Sequence, residues 1–363
     1  MLGELEMPTT IGMKSEGFYD RNSSFQRVTM EAVIGWAREA IAEMTLPDEP
    51  APITLADYGC SEGKNSIAAM GHLVNALRAR HPQQPLCVVH TDLPTNNFNR
   101  LFLSLHDPTQ NNYFQSEGKR HDGIFSLTAS GSFFDPLLAP KSVTLATTFI
   151  SLQWMDRVPD VPIPEFIGYM EASPAAQQAF ARQAQEDLTR FYSARATELA
   201  SGGKLLIIIP GSDGQRRSSD GGYNLLNDAI GDLVRAGRIS QGRFESFVMP
   251  NYFRTLEELT APVTLPSSPL HEVFSIDRSE TLELPIPFEE EYRRTGDVLA
   301  YASTYTGFLR ALSEPVVVSG LFEPGQDRAV VDELYDRVRA RLVATPQRYT
   351  VRNIEVAALL TRR

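Results

Sequence analysis

The chain has 363 residues, 42% of them hydrophobic, enough for one large α/β domain with an added subdomain or for two domains. A formal net charge of −11, with lysines and arginines scattered, argues against a nucleic-acid backbone as the main partner. Two cysteines (Cys60 and Cys87) without metal-ligand spacing, no apolar run of membrane-spanning length and no charged-then-apolar leader lead us to expect a soluble, cytoplasmic protein with no membrane partner.

Residues 1–25 are polar and mixed and read as an arm, followed by a helix over 23–44. Pro47, Pro50 and Pro52 form a linker to an apolar run that predicts a first strand over 53–58. A helical pattern covers 66–80, and further strands are predicted at 86–91, 123–128, 143–149 and 204–209. Helical patterns between several of them favour a parallel sheet with crossovers. Residues 174–200 read as one long helix, with Phe180, Ala184, Leu188 and Phe191 on one face. From 211 to 325 the α/β rhythm breaks, and this stretch reads as a cap. It holds a Gly- and Ser-rich segment at 211–222, helices near 224–236 and 255–260, a strand pair near 271–284 and a helix over 295–312. A helix near 328–343 and a last strand near 353–361, returning to the sheet, close the chain.

The segment Leu55-Ala56-Asp57-Tyr58-Gly59-Cys60-Ser61-Glu62-Gly63-Lys64-Asn65-Ser66 carries the chemistry. A strand ends in an acid and a glycine-rich turn, and a helix follows. A second acid, Asp92, ends the next strand, where Rossmann-like folds use an acid to accept hydrogen bonds from a ribose diol. The turn is not a phosphate-gripping P-loop: Gly59 and Gly63 are one residue too close, and Asn65 follows the lysine. It also lacks the middle glycine that a dinucleotide pyrophosphate needs, which counts against an NAD-dependent oxidoreductase. An acid before the turn suits a ligand with an ammonium group and no phosphate, such as S-adenosylmethionine (SAM). A glycine turn that merely ends a strand fits the spacing as well.

Further segments, in order, resemble one family. Phe18-Tyr19-Asp20-Arg21-Asn22-Ser23-Ser24-Phe25-Gln26 is similar to the S-Y-A-x-N-S-x-x-Q of the SABATH methyltransferases, which include the plant salicylate, jasmonate and caffeine-type enzymes and microbial relatives. Ala56 to Asn65 is similar to A-D-L-G-C-S-S-G-P-N, and Thr91-Asp92-Leu93-Pro94-Thr95-Asn96-Asn97-Phe98-Asn99 to N-D-L-P-x-N-D-F-N. Gly131-Ser132-Phe133-Phe134 resembles G-S-F-Y, and Ser151-Leu152-Gln153-Trp154-Met155-Asp156-Arg157-Val158-Pro159 resembles S-L-H-W-L-S-x-V-P. In the cap, Phe247 to Leu259 resembles F-x-x-P-x-Y-x-P-S-x-E-E-V, and Arg310 to Pro315 resembles R-A-x-x-E-P.

The resemblance implies an α/β fold: a Rossmann-like class I methyltransferase sheet with helices on both faces and a largely helical cap. Residues 1–210 would form the SAM-binding core with an N-terminal substrate arm, 211–325 the cap, and 326–363 the return helix and final strand. It implies a microbial member, a homodimer, SAM as cofactor and S-adenosylhomocysteine as product. The expected activity, of EC 2.1.1 type, converts a small hydrophobic or aromatic carboxylic acid to its methyl ester. The alternative is N-methylation of a small heterocycle, as in caffeine synthesis.

By resemblance, Asp57, Gly59 and Asn65 hold the methionine end of SAM, and Asp92 its ribose hydroxyls. Leu93 packs on the adenine, Ser132 bonds its amino group, and Phe133 covers the ring. Tyr19 and Ser23 close the near side of the cofactor. Gln26 and Trp154 donate hydrogen bonds to the substrate carboxylate; both side chains carry an N–H donor and neither carries a charge. Phe149, Ile150, Gln153, Tyr223, Phe253 and Phe308 are expected to line an aromatic, apolar substrate pocket. Gln153 stands where many relatives carry His or Met, Ile150 where many carry Tyr, and Arg254 in place of a proline, so the acceptor is expected to differ from the familiar plant hormones. No metal is expected, and no nucleophilic triad or histidine is required, because a carboxylate is already ionised at neutral pH.

Overall fold

The computed structural model of the chain describes Met13, Phe18 and residues 24–107, 109–110, 112–116, 119–163, 166–218, 220–322 and 328–363. After α1 (Ser24–Glu43), the core alternates strand and helix: β1 (Ile53–Tyr58), α2 (Lys64–Arg80), β2 (Leu86–Asp92), α3 (Phe98–His106), β3 (Ile124–Ser130), β4 (Val143–Phe149), α4 (Pro174–Glu198) and β5 (Leu199–Ser212). Residues 220–321 contribute α5 (Asp220–Arg235), α6 (Gln241–Ser246), α7 (Leu256–Thr264), β6 (Phe274–Glu283), α8 (Pro287–Thr295) and α9 (Val298–Leu321). Then come α10 (Arg328–Ala344) and β7 (Ile354–Arg362). The main sheet runs β3-β2-β1-β4-β5-β7-β6, with Arg254–Thr255 as a short eighth strand beside the end of β5. β3 to β5 along this path are parallel, while β7 runs antiparallel to both β5 and β6.

Period-two alternation decides which helices cover which face. Ile53 and Leu55 of β1, Leu206 and Ile208 of β5 and Ala357 and Leu359 of β7 pack with α1, α2 and α3. Ala56 and Tyr58, Leu205, Ile207 and Ile209, and Val356, Ala358 and Leu360 point the other way, against Leu188, Phe191 and Tyr192 of α4 and Leu259 and Val263 of α7. Central strands buried on both faces read as continuous apolar runs, which is why they were legible. A third cluster ties α5, α8, α9 and α10 to the segment around Trp154–Met170.

Three expectations are corrected. The strand pair near 271–284 is one strand, Phe274–Glu283, and it forms an edge of the main sheet against β7. The helix expected to end at 312 continues to Leu321 through Pro315. Proline removes one backbone donor there, but burial of Val316, Val317 and Leu321 outweighs that loss. β5 begins at Leu199, so α4 ends at Glu198 and the strand reaches back past Gly202-Gly203.

The C-terminal ends of β1 to β4 gather four turns on one rim, where open α/β sheets bind ligands. Gly59 and Cys60 both donate backbone bonds to Thr91 O, each at 2.9 Å, and Gly131 N donates to Asp92 O at 3.0 Å. Gly59 has φ +94°, and a Cβ there would stand 2.1 Å from Ser151 Oγ. The turns after β1 and β4 therefore touch, and only glycine permits that approach.

Candidate active site

Three cavities meet on this rim. The first, about 700 Å³ including its open mouth, is lined among others by Gly59, Ser61, Asp92, Leu93, Asn96, Ser132, Phe133 and Trp154. The second, about 390 Å³, runs along the β1 turn past Gln26, Asp57, Gly59, Lys64, Asn65 and Phe149. The third, a chamber of about 570 Å³, is walled by Phe25, Gln26, Gln153, Trp154, Tyr223, Asn251, Phe253 and Phe308. Ile150 lines all three. Its φ of +54° is a strained conformation for a β-branched residue, of order 1–3 kcal/mol. Two bonds pin it: Ile150 N donates to Ile208 O at 2.9 Å, and Gln153 Nε2 donates to Ile150 O at 3.0 Å.

Asp57 sits at the end of β1, only 3% exposed. Burial raises its carboxyl to about 6, opposed by hydrogen bonds from Ser66 and Thr147. Thr147 Oγ1 donates to Asp57 Oδ1 at 2.7 Å. Ser66 Oγ lies 2.8 Å from Nδ1 of buried His90, whose Nε2 lies 2.8 Å from the Tyr113 hydroxyl. Burial lowers His90 to about 3, so it is neutral in this chain of bonds.

Asp92 accepts Ser61 N at 2.6 Å on Oδ2 and Leu93 N at 2.8 Å on Oδ1. Its carboxyl is also raised to about 6, first by burial and last by the nearby Asp57, with the two N–H donors opposing. The bond from Ser61 holds the β1 turn, where Ser61 itself has φ +51°. Asn96 Nδ2 adds a bond to Ser61 O at 2.7 Å.

The loop carrying Ser132 and Phe133 is fixed by a fully buried ion pair. Arg195 Nε donates to Glu198 Oε2 at 2.7 Å, and both side chains are 0% exposed. Arg195 also donates to Phe133 O at 2.8 Å and Asp135 O at 3.1 Å. Glu198 accepts the backbone N–H groups of Leu137 and Leu138 and the Tyr58 hydroxyl. Every charged group here has partners, the condition under which a buried pair is tolerated. Arg254, which stands in place of a proline, does the same for the Trp154 segment: it donates to Leu152 O and Ala184 O, each at 2.7 Å.

Gln26, on the first turns of α1, and Trp154 share the wall of the third cavity. Gln26 Oε1 is buried without a hydrogen-bond partner. The rings of Phe25 and Phe308 meet at a tilt of 37° with centroids 4.8 Å apart, and Tyr223 meets Phe253 edge-on at 5.7 Å. No acid, lysine, arginine or histidine is among the described residues lining this chamber.

Of the residues expected from sequence, Gly59, Asp92, Leu93, Ser132 and Phe133 line the first cavity, and Asp57, Gly59 and Asn65 the second. Gln26, Trp154, Ile150, Gln153, Tyr223, Phe253 and Phe308 line the chamber. Phe149 lines the cleft at Asp57 instead of the chamber. Tyr19 and Ser23 lie outside the described residues. Residues that sequence reasoning did not select include Ser61, Asn96 and Ser151 of the first cavity and Phe25, Asn251, Leu309 and Leu312 of the chamber. Phe25, Asn96, Ser151 and Asn251 all fall inside motif segments, so the signal was present but no spacing rule singled them out.

The family model described as SAM dependent carboxyl methyltransferase matches residues 6–363. The chain belongs to this family. It is a SAM-dependent methyltransferase, a transferase of EC 2.1.1 type. The methyltransferase is 28% identical over 360 residues to the jasmonate O-methyltransferase of Arabidopsis thaliana, covering 89% of this chain and 90% of that protein. It is 27% identical over 346 residues to a 3,7-dimethylxanthine N-methyltransferase of Camellia sinensis var. assamica, covering 90% and 88%. A solved structure described as loganic acid methyltransferase with SAH matches with a TM-score of 0.80 and 23% identity, over 98% of this chain and 99% of that one. That likeness shows a shared methyltransferase fold. No helix among the described residues is long and apolar enough to cross a membrane.

Proposed function

We propose that the protein methylates a carboxylate oxygen of a small, partly hydrophobic acid to give its methyl ester. The observation that carries this reading is the chamber wall: neutral N–H donors on Gln26 and Trp154, two further neutral amides (Gln153 and Asn251) in a mainly aromatic and aliphatic surface, and no general base among the described residues that line it. Tyr223, the only phenol among the described residues there, is shifted upward by burial and is no base at neutral pH. An acceptor in such a chamber must arrive already nucleophilic, and a carboxylate does. Neutral donors orient it without the strong pairing that an arginine would impose. The apolar wall strips water from the anion, which favours a reaction that joins opposite charges. The same absence of a base counts against the N-methyl reading, although a relative acting on a xanthine keeps that reading open as the second one.

The two acids fit SAM. Asp57 and Asp92 are raised to about 6 by burial, and no cationic side chain among the described residues pairs with either. A cation with a ribose diol supplies what both lack. In this reading Asp57, Gly59 and Asn65 hold the amino-acid end, and Asp92 takes the ribose hydroxyls. Leu93, Ser132 and Phe133 enclose the adenine. SAM, when bound, supplies an electrophilic methyl on its sulfonium. A homodimer in the cytoplasm of a microbe is the setting that the family resemblance supports.

These shifts give a pH dependence. Because both carboxyls titrate higher in the free protein than in the unfolded chain, their ionisation above about pH 6 costs the ligand-free fold stability. SAM requires the ionised forms, so its affinity is full above pH 6 and lost as pH falls through it. From pH 7.5 to pH 5, Kd is expected to rise about 10- to 100-fold, depending on whether one acid or both must ionise. Calorimetric titration across this range checks it, and a flat profile contradicts it.

The test of the reaction is methyl transfer from labelled SAM to a panel of aromatic, terpenoid and fatty acids and xanthines. Base-labile label on an acid is the expected result. Label on a xanthine nitrogen moves the protein to the second reading, and intact SAM binding with no transfer to any acid overturns the first.

A further inference from the structure

Two amide groups in the chamber each leave a buried carbonyl oxygen without a hydrogen-bond partner, and for Gln153 the protein fixes the orientation. Gln153 Nε2 donates to Ile150 O at 3.0 Å. A backbone carbonyl can only accept, so the amide cannot be flipped, and its oxygen is the free end. Gln153 Oε1 is buried and has no hydrogen-bond partner. Asn251 Nδ2 donates to the Tyr223 hydroxyl, and Asn251 Oδ1 is likewise buried without a partner. The side chains belong to residues only 6% and 4% exposed.

Their backbones are cross-linked around Trp154. Tyr252 N donates to Gln153 O and Met155 N to Pro250 O, each at 2.9 Å, and Trp154 pairs directly with Asn251 across an antiparallel bridge. Gln153, Trp154 and Asn251 therefore form one rigid patch of the chamber wall, with aromatic rings around it. Buried acceptors without donors are costly, and proteins rarely keep two together without a use.

We propose that the methyl acceptor is an acid carrying a second polar group, a hydroxyl or N–H donor, which is read by the amide oxygens of Gln153 and Asn251. This rests on the ester reading above and narrows its substrate class: a plain hydrocarbon acid leaves both oxygens unpaired, and a donor-bearing acid satisfies at least one. The two residues determine specificity through a contact remote from the reacting oxygen. Sites built to bond a donor discriminate against analogues lacking it much more strongly than apolar pockets discriminate size.

The test uses the full-length enzyme, labelled SAM and matched acids. Each pair shares one skeleton, and one member carries the hydroxyl or N–H while the other has it deleted or methylated. The expected result is a kcat/KM preference of about 10- to 100-fold for donor-bearing members. In Gln153→Leu that preference is expected to shrink to about threefold, mainly through KM of the donor-bearing acids. Equal turnover of both members of every pair by the wild-type enzyme overturns this inference while leaving the ester reading intact. Transfer to no acid of either kind, with SAM bound, overturns the ester reading and this inference with it. The wild-type comparison needs no variant, so a poorly folding Gln153→Leu does not shield the proposal.

Discussion

Asp92→Ala is expected to raise the Kd for SAM by about 100-fold or more. Each Asp92 oxygen already accepts one backbone N–H, from Ser61 or Leu93, and each keeps lone pairs for a ribose hydroxyl. Hydrogen bonds to a charged acceptor contribute about 1.5–3 kcal/mol each, so two of them account for roughly 10²- to 10⁴-fold. The substitution also releases Ser61 N, and with it the tension that holds Ser61 at φ +51° in the β1 turn. Ligand contact and turn geometry fail together in this variant. Calorimetric titration at pH 7.5 reads the result directly. A Kd within threefold of the wild type removes Asp92 from the ribose site.

Trp154→Ala is expected to lower kcat/KM for the acid by about 100- to 1000-fold while changing the Kd for SAM by less than about fivefold. The loss combines a charge-assisted bond from the indole N–H with the loss of a wall that fixes the attack geometry. Trp154 borders both the first cavity and the chamber, so some effect on SAM is built in. Trp154→Phe separates the two contributions: the wall remains, the donor goes, and kcat/KM falls about 10- to 100-fold. Equal loss of SAM binding and of turnover in Trp154→Ala would show that the residue serves the cofactor and would end this division of labour.

Both variants alter walls of cavities that share Ile150, the strained residue where the three cavities meet. Its pinned backbone connects the chamber to the end of β4. The buried Arg195–Glu198 pair and Arg254 act one layer further out, binding backbone carbonyls of the Ser132–Phe133 loop and the Trp154 segment. Charged side chains set one layer back thus fix the backbone around the cavities, while the described residues lining the chamber are uncharged.

Much of this was determined by the sequence itself. Strands buried on both faces, such as Ile53–Tyr58 and Val143–Phe149, announce themselves as apolar runs, because burial on both sides removes any need for polar alternation. The acid-glycine turn at Asp57–Gly63 and the acid at Asp92 are legible because backbone conformation and ligand charge restrict which residues serve there. The tertiary structure alone decided the rest. Phe274–Glu283 reads poorly because an edge strand with much of its length exposed carries little hydrophobic signal, and its place beside β7 is a long-range pairing. Val298–Leu321 runs through Pro315 because packing supplied what propensity denied. The orientation of the Gln153 and Asn251 amides depends on Ile150 O and the Tyr223 hydroxyl. Hydrogen bonds between residues as distant in sequence as Asn251 and Tyr223 leave no local pattern, so which atom of an amide is left free for a substrate is a property only of the folded chain.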